Sequence, residues 1–458
     1  MNQVDPKLRM VGDAAPRIDA HDKTTGNAVY TADVTLPGML HAKLLRSSVP
    51  HARLVSINAD KARKAPGVHA VVIRDDLEQL NAQTYGYFIK DQPFVAMDKV
   101  RYEGDTLAAV AAETEAQAEA ACALVEFELE ELPPVPDIEA ALSDDSPDLF
   151  EEAPFGVVPK YGTGATGTLR PIKNSCYLFQ YETGEDSAFE HCDHVFEDEF
   201  RFSRMHHFHL EPFVSVADAS GDRVQLWSSC QNPFALRKEL GRLFGITENL
   251  ININSPYLGG GFGSKNNAKM EPLAVLLSKI AGRPVRLCLT MEEGFLTNTQ
   301  HATILKLKTG VTKDGTFVAR KSEIYLDSGA YSDASPLVAE KAGYRIPGPY
   351  RWQRIETDCY CMMTCTAPAG PFRGFGGTQT TWASESQIDM IARRLGMDPM
   401  DIRKKNLLKL GDPFVPGESG MDSDLEEGLD IIVRELGFKD ERPANRGVGL
   451  SIGFKDGG

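Results

Sequence analysis

Three short segments of the 458-residue chain carry residue types that could do chemistry. The first is Gly259-Gly260-Gly261-Phe262-Gly263-Ser264-Lys265. Glycines there let a backbone come close to a ligand and aim N–H groups at acceptor atoms near a helix start. Its spacing fits neither a Walker A loop nor a dinucleotide fingerprint, and a tight strand–helix turn is an equal reading. The second, Pro371-Phe372-Arg373-Gly374-Phe375-Gly376-Gly377, puts a cation and two rings on an approachable backbone. Arg373 suits an anion and Phe375 a flat substrate, although a turn with a surface arginine has the same composition. The third, Ser229-Cys230-Gln231-Asn232-Pro233, sets a neutral amide at the end of a strand, where α/β folds often place functional groups. In His206-His207-Phe208-His209, strand alternation puts His207 and His209 on one face, a possible pair of metal ligands that lacks a third.

These segments need elements to hold them. Leu40–Arg46, Val68–Ile73, Arg223–Ser229, Leu250–Tyr257, Pro284–Thr290 and 301–313 read as strands. Helices are expected from Asn232-Pro233 to Phe244, over 268–281, over 115–127 and over 379–395, with another starting at Asp401. The stretch 133–155 is rich in proline and acid and reads as a linker. Hydrophobic residues make up 42% and charged ones 25%, ordinary for a globular chain of two to four domains. The formal net charge of −16 argues against broad nucleic-acid binding. No apolar run reaches the roughly 20 residues that cross a bilayer, and the N-terminus lacks a signal-peptide layout, so a cytoplasmic location is expected. The eight cysteines form no C-x-x-C, so neither a zinc ribbon nor a ferredoxin-type cluster is encoded. Cys359, Cys361 and Cys365 read as buried thiols of a strand.

Taken together, Gln231-Asn232-Pro233, 259–265 and 372–377 resemble the molybdopterin-binding subunit of the molybdenum hydroxylases, the xanthine dehydrogenase and aldehyde oxidase family. Asp22-Lys23-x-x-Gly26, Arg46-Ser47-x-x-Pro50-His51-Ala52, Val100-Arg101-Tyr102-x-Gly104-Asp105, Glu211-Pro212 and Asp327-Ser328-Gly329-Ala330-Tyr331 extend the likeness over most of the chain. The resemblance implies an α+β protein: an N-terminal arm (1–20), an α/β hammerhead domain (21–140), a linker (141–160) and the first molybdopterin-binding domain (161–440). Residues 441–458 would open a second such domain or form an interface tail, because 447–454 is similar to that domain's first strand.

The resemblance further implies molybdopterin carrying molybdenum, in its cytosine dinucleotide form, with no side chain on the metal. Gln231 would bond the apical oxo group. Gly260, Gly261, Phe262 and Gly263 would lie against the metal end, and Arg373 beside the cofactor. Asn266, Lys341 and Phe375 would face substrate. The implied reaction is hydroxylation of an N-heterocyclic or aromatic small molecule with water as oxygen source; an aldehyde oxidoreductase or a non-catalytic scaffold are the alternatives. Asn266 and Lys341 stand where purine-oxidising members carry Glu and Arg, which disfavours xanthine and suits an anionic ring compound. Gly374 replaces the cysteine of the copper-containing carbon monoxide dehydrogenases. No catalytic residue is identified in this chain: the family's general-base glutamate is expected on a partner, and Glu211, Glu271 and Glu340 are expected to be structural. Implied partners are a C-terminal molybdopterin-binding half-subunit, an FAD-binding subunit and a 2Fe–2S subunit.

Overall fold

A computed structural model describes residues 14–454 apart from 79, 152–164, 170–171, 415–419 and 439. Two mixed sheets organise it. The seven-stranded sheet runs in the order Ile251–Asn254, Val224–Ser228, Val214–Asp218, Val285–Cys288, Leu40–Arg46, Thr106–Ala112, Val68–Val72. Leu40–Arg46 lies parallel to Val285–Cys288 and antiparallel to Thr106–Ala112. Strands from the hammerhead region and from the region beyond residue 200 therefore share one sheet. Thr106–Ala112 is apolar at almost every position and buried on both sides, as expected of a central strand with both faces covered.

The six-stranded sheet has the order His194–Phe202, Thr303–Val311, Phe317–Gly329, Arg354–Met363, Ser175–Thr183, Ala165–Leu169. Its long central pair, Phe317–Gly329 and Arg354–Met363, is parallel. Cys359 and Cys361 point into the core beneath the Ser335–Arg345 and Gly377–Leu395 helices, as buried thiols. The Glu271–Ala281 helix covers the first sheet and buries Leu273, Val275, Leu276 and Leu277.

Several expected elements shift. The helix expected over 115–127 stops at Cys122, and Phe127 belongs to the strand Glu126–Glu131, which pairs with Ala52–Asn58. The helix expected from 268 begins at Glu271, because the Glu271 carboxylate first accepts the Lys269 backbone N–H and Pro272 occupies the first turn. Thr290 ends no strand; it caps a short helix, Met291–Phe295, through a reciprocal bond with Glu293. The described part of 133–155 is no open tether. Asp137 caps the helix Ile138–Leu142, while Val135, Ile138, Ala141, Leu149 and Phe150 enter the core of the six-stranded sheet. Proline and acid set its composition, but Val135, Ile138 and Ala141, three apart, and then Leu149 and Phe150 anchor it.

Candidate functional site

Gln231 ends the chain's run out of the first sheet. Asn232 caps the Pro233–Phe244 helix, its side-chain oxygen accepting from Ala235 N–H at 3.2 Å, and Pro233 fills the first turn. Gln231 N–H donates to the Lys265 carbonyl at 2.8 Å, and its Oε1 accepts from Gly263 N–H at 3.0 Å and Lys265 N–H at 3.3 Å. An oxygen that accepts two N–H groups fixes which way the carboxamide points. Its NH2 group is left facing outward at an exposed position, with no protein acceptor among the described residues.

The glycines of the loop are there for space. A Cβ on Gly261 would lie 2.5 Å from Gln231 Oε1. One on Gly263, whose φ is 111°, would fall 2.4 Å from the Pro371 carbonyl oxygen, so the two glycine loops meet backbone to backbone. Both loops also carry a left-handed aromatic residue, Phe262 at φ 52° and Phe375 at φ 49°. Such a conformation costs about 1–3 kcal/mol each and persists only where neighbours enforce it.

The enforcing neighbours are buried ionic and imidazole groups, Lys265 with Glu211, Lys269 with Asp333, and the histidines of the 206–209 tract. Lys265 is 2% exposed, and its ammonium donates to the Glu211 carboxylate at 2.8 Å and the Glu211 carbonyl at 2.9 Å. The same carboxylate accepts Gly259 N–H at 3.0 Å. Burial pulls Lys265 below the usual lysine range, and Glu211 offsets part of that. Lys269 pairs with the buried Asp333, which also accepts from Asn267 and, at 2.9 Å, from Asn298. The structural role expected for Glu211 is the holding of Lys265, while Asp333, Asn267 and Asn298 carried no motif in the sequence.

The histidine tract is not a strand. Residues 206–209 are irregular, with Phe208 at φ 50°. His207 Nε2 donates to the Pro371 carbonyl at 2.8 Å and His209 Nδ1 to the Glu211 carbonyl at 2.6 Å. Burial pushes both down to about 4, so both are neutral braces between the loops. Among the described residues no group of three His, Cys, Asp or Glu could hold a metal ion.

The second loop rests on the Ser335–Arg345 helix. Arg345 donates to the Gly374 carbonyl at 2.8 Å, and a Cβ on Gly376 would meet Ala342 Cβ at 2.8 Å. Arg373 is exposed, with no ion pair or hydrogen bond among the described residues. Phe375 is half-buried, its N–H donating to the Phe372 carbonyl at 2.7 Å. The structure thus brings Gln231, Gly260, Gly261, Phe262 and Gly263 together and sets the Arg373 loop against them. Asn266 and Lys341 lie on separate elements and bond chain neighbours: Asn266 donates to Asn267 at 3.3 Å and Lys341 to the Tyr344 hydroxyl at 2.9 Å. The three glutamates near the motifs all serve packing. Glu211 holds Lys265, Glu271 accepts from Ser228 at 2.8 Å, and Glu340 accepts from Tyr177 at 3.0 Å, its carboxyl pushed up to about 7 by burial.

An outward amide donor, a backbone cradle too tight for any side chain, and an exposed arginine beside it fit a cofactor held through its own ligands. Residues 170–407 match the molybdopterin cofactor-binding domain, and residues 25–133 match the a/b hammerhead domain of aldehyde oxidase and xanthine dehydrogenase. The chain therefore pairs a hammerhead domain with a molybdopterin cofactor-binding domain. The nicotinate dehydrogenase large molybdopterin subunit of Eubacterium barkeri is 32% identical over 95% of this chain and 99% of its own. The xanthine dehydrogenase molybdenum-binding subunit of Escherichia coli is 32% identical over 86% of this chain and 52% of its own. Quinoline 2-oxidoreductase from Pseudomonas putida superposes with a TM-score of 0.80 at 28% identity, covering 93% of this chain and 54% of that one. The chain belongs to the xanthine dehydrogenase and aldehyde oxidase family, and it spans about half the length of the Bacillus subtilis and Escherichia coli relatives it matches.

Proposed function

We propose that this chain is the half of a molybdenum hydroxylase that grips the metal end of the pterin cofactor and presents an N-heterocyclic or aromatic substrate to it. When bound, the cofactor supplies two-electron oxidation with water as the oxygen source. The protein's part is positioning and electrostatics. The observation that carries this reading is Gln231: its oxygen is spent on Gly263 and Lys265, so its NH2 group can only donate outward. Gly260, Gly261, Phe262 and Gly263 let the backbone approach the same point. Arg373 offers an unspent cation to an anionic group at the cofactor's edge, and Phe375 a ring face to a planar substrate. Asn266 and Lys341 would bound the substrate side, Lys341 oriented by Tyr344.

In the same reading the cofactor is the cytosine dinucleotide form, and the location is cytoplasmic. The catalytic base and the rest of the pterin site come from a C-terminal half-subunit, and electrons leave through 2Fe–2S and FAD subunits. The end-to-end likeness to the Eubacterium barkeri large subunit supports a two-chain arrangement. Assaying the assembled enzyme against paired N-heterocycles and aldehydes tests the reaction class. Turnover of the heterocycles with 18O incorporated from labelled water is expected; turnover of aldehydes alone would replace this reading with the aldehyde oxidoreductase one.

A further inference from the structure

The last described residues reach back to the second glycine loop. Leu450 and Ile452 pack into the apolar cluster that Ile388 and Ile391 of the Gly377–Leu395 helix help to form. Between them and the helix the backbone is pinned: Ile452 N–H donates to the Glu385 carboxylate at 3.0 Å. Glu385 is buried and also accepts from Tyr350 at 2.6 Å and Arg403 at 3.0 Å, so the segment is tied to a fixed group. Phe454 follows, and its ring stacks on Phe414, centroids 3.5 Å apart and planes at 12°.

Phe414 in turn meets Tyr344 edge to face, centroids 6.4 Å apart and planes at 72°. Tyr344 stands next to last in the Ser335–Arg345 helix, between two cations of that helix. Its hydroxyl accepts from Lys341 at 2.9 Å, and the Arg345 guanidinium lies 5.5 Å from its ring centroid. Arg345 is the residue that donates to the Gly374 carbonyl at 2.8 Å, and a Cβ on Gly377 would stand 3.2 Å from its Nη1. One guanidinium is thus fitted against the loop on both sides of Phe375. Stacked and edge-to-face rings have defined geometry, and in close-packed surroundings a shift of one ring must be taken up by the next.

We propose that Tyr344 is a positioning residue whose ring passes the seating of residues 450–454 to Arg345 and so to the Arg373–Phe375 loop. The consequence for turnover rests on the hydroxylase reading, because only there do Arg373 and Phe375 touch cofactor and substrate. The coupling itself does not. A direct route has to be separated from it, since Gly374 and Gly377 share a cleft with Gly453 and Phe454. By that route, loss of Phe454 loosens the loop through the opened cleft, with no part for Tyr344.

The test is hydrogen exchange of the purified assembly, read by mass spectrometry on peptides covering 371–377 and 259–265. Phe454→Ala is expected to speed exchange in 371–377 about tenfold, the worth of one lost stacked pair, and to leave 259–265 at the wild-type rate. Tyr344→Phe keeps the ring, so it should exchange like wild type alone and still respond to Phe454→Ala. Tyr344→Leu removes the ring, so 371–377 should already exchange fast and Phe454→Ala should add nothing. Additive effects of Phe454→Ala and Tyr344→Leu would overturn the proposal in favour of the cleft. Equal acceleration of both loops, or no change in 371–377, would overturn it as well. The two readings fail separately. Tyr344-dependent exchange in an assembly that turns over no heterocycle would sink the hydroxylase reading and keep the coupling. Heterocycle turnover with additive exchange would do the opposite.

Discussion

Gln231 uses its carbonyl oxygen to hold the first glycine loop and its NH2 group to face outward, and substitution can separate the two roles. Gln231→Glu keeps acceptors for the Gly263 and Lys265 N–H groups but removes the outward donor. The expected result is a loss of about 10²–10³-fold in kcat, the usual cost of one preorganised donor, with the thermal midpoint nearly unchanged. A large fall in the midpoint would show that the residue is a loop brace only. The amide's position at a strand end was legible in the sequence, as was the need for glycines at 260, 261 and 263. Which amide atom faces outward was not, because that depends on Lys265 N–H arriving from 34 residues away. The histidine tract misled for a related reason: alternation presumes a strand, and Phe208 leaves the β region altogether.

The glycine loops behave as elements because buried groups beneath them leave few alternatives. The Lys265–Glu211 pair is one of these, with both side chains under 10% exposed. Lys265→Met leaves Glu211 charged and unpaired and is expected to cost about 3–5 kcal/mol, measured by chemical denaturation. Adding Glu211→Gln should return much of that loss; no recovery in the double variant would mean the pair is not coupled.

A second clamp lies where the hairpin ending near Asp91 meets the loop leading into the Ser335–Arg345 helix. Ser332 donates its N–H and hydroxyl to Asp91 at 2.7 and 2.9 Å, and Tyr331 donates to Asp105 at 2.9 Å. Burial raises Asp91 to about 7 despite the Ser332 bonds. The folded protein then binds a proton that the unfolded chain, with its ordinary carboxyl near 3.8, has already released. This contribution is present below about pH 4 and is lost as pH rises through about 7. The neutral buried histidines act with the opposite sign, since His207 and His209 sit near 4 and the unfolded chain protonates them first. The difference between wild type and Asp91→Asn isolates the carboxyl: wild type should lose stability relative to the variant between pH 5 and 7, and a flat difference would contradict the assignment. Sequence periodicity located the strands and helices joined here to within a few residues. It could not show long-range pairing such as Leu40 with Val285, which merges two stretches that read as separate domains into one sheet.

At the scale of the molecule, both glycine loops lie at an open face and not in a closed interior. Beside the second loop a cleft of about 660 Å³ runs between the Gly377–Leu395 helix and residues 450–454, with Arg345, Trp382 and Phe454 on its walls. Trp382 is 43% exposed there and Phe262 44% exposed at the first loop, large rings open to solvent. Among the described residues no group of three His, Cys, Asp or Glu could hold a metal ion. If, as proposed, this chain retains the cofactor, it does so through the Gln231 and glycine-loop cradle. Its most direct test is the molybdenum and pterin content of the purified assembly in wild type and in Gly261→Val, whose side chain would occupy the space against Gln231 Oε1. Wild type should carry molybdenum and pterin in stoichiometric amounts, and the variant should assemble but lose most of both. A folded wild-type assembly without molybdenum, or a Gly261→Val assembly with its full complement, would show that the cradle does not retain the cofactor.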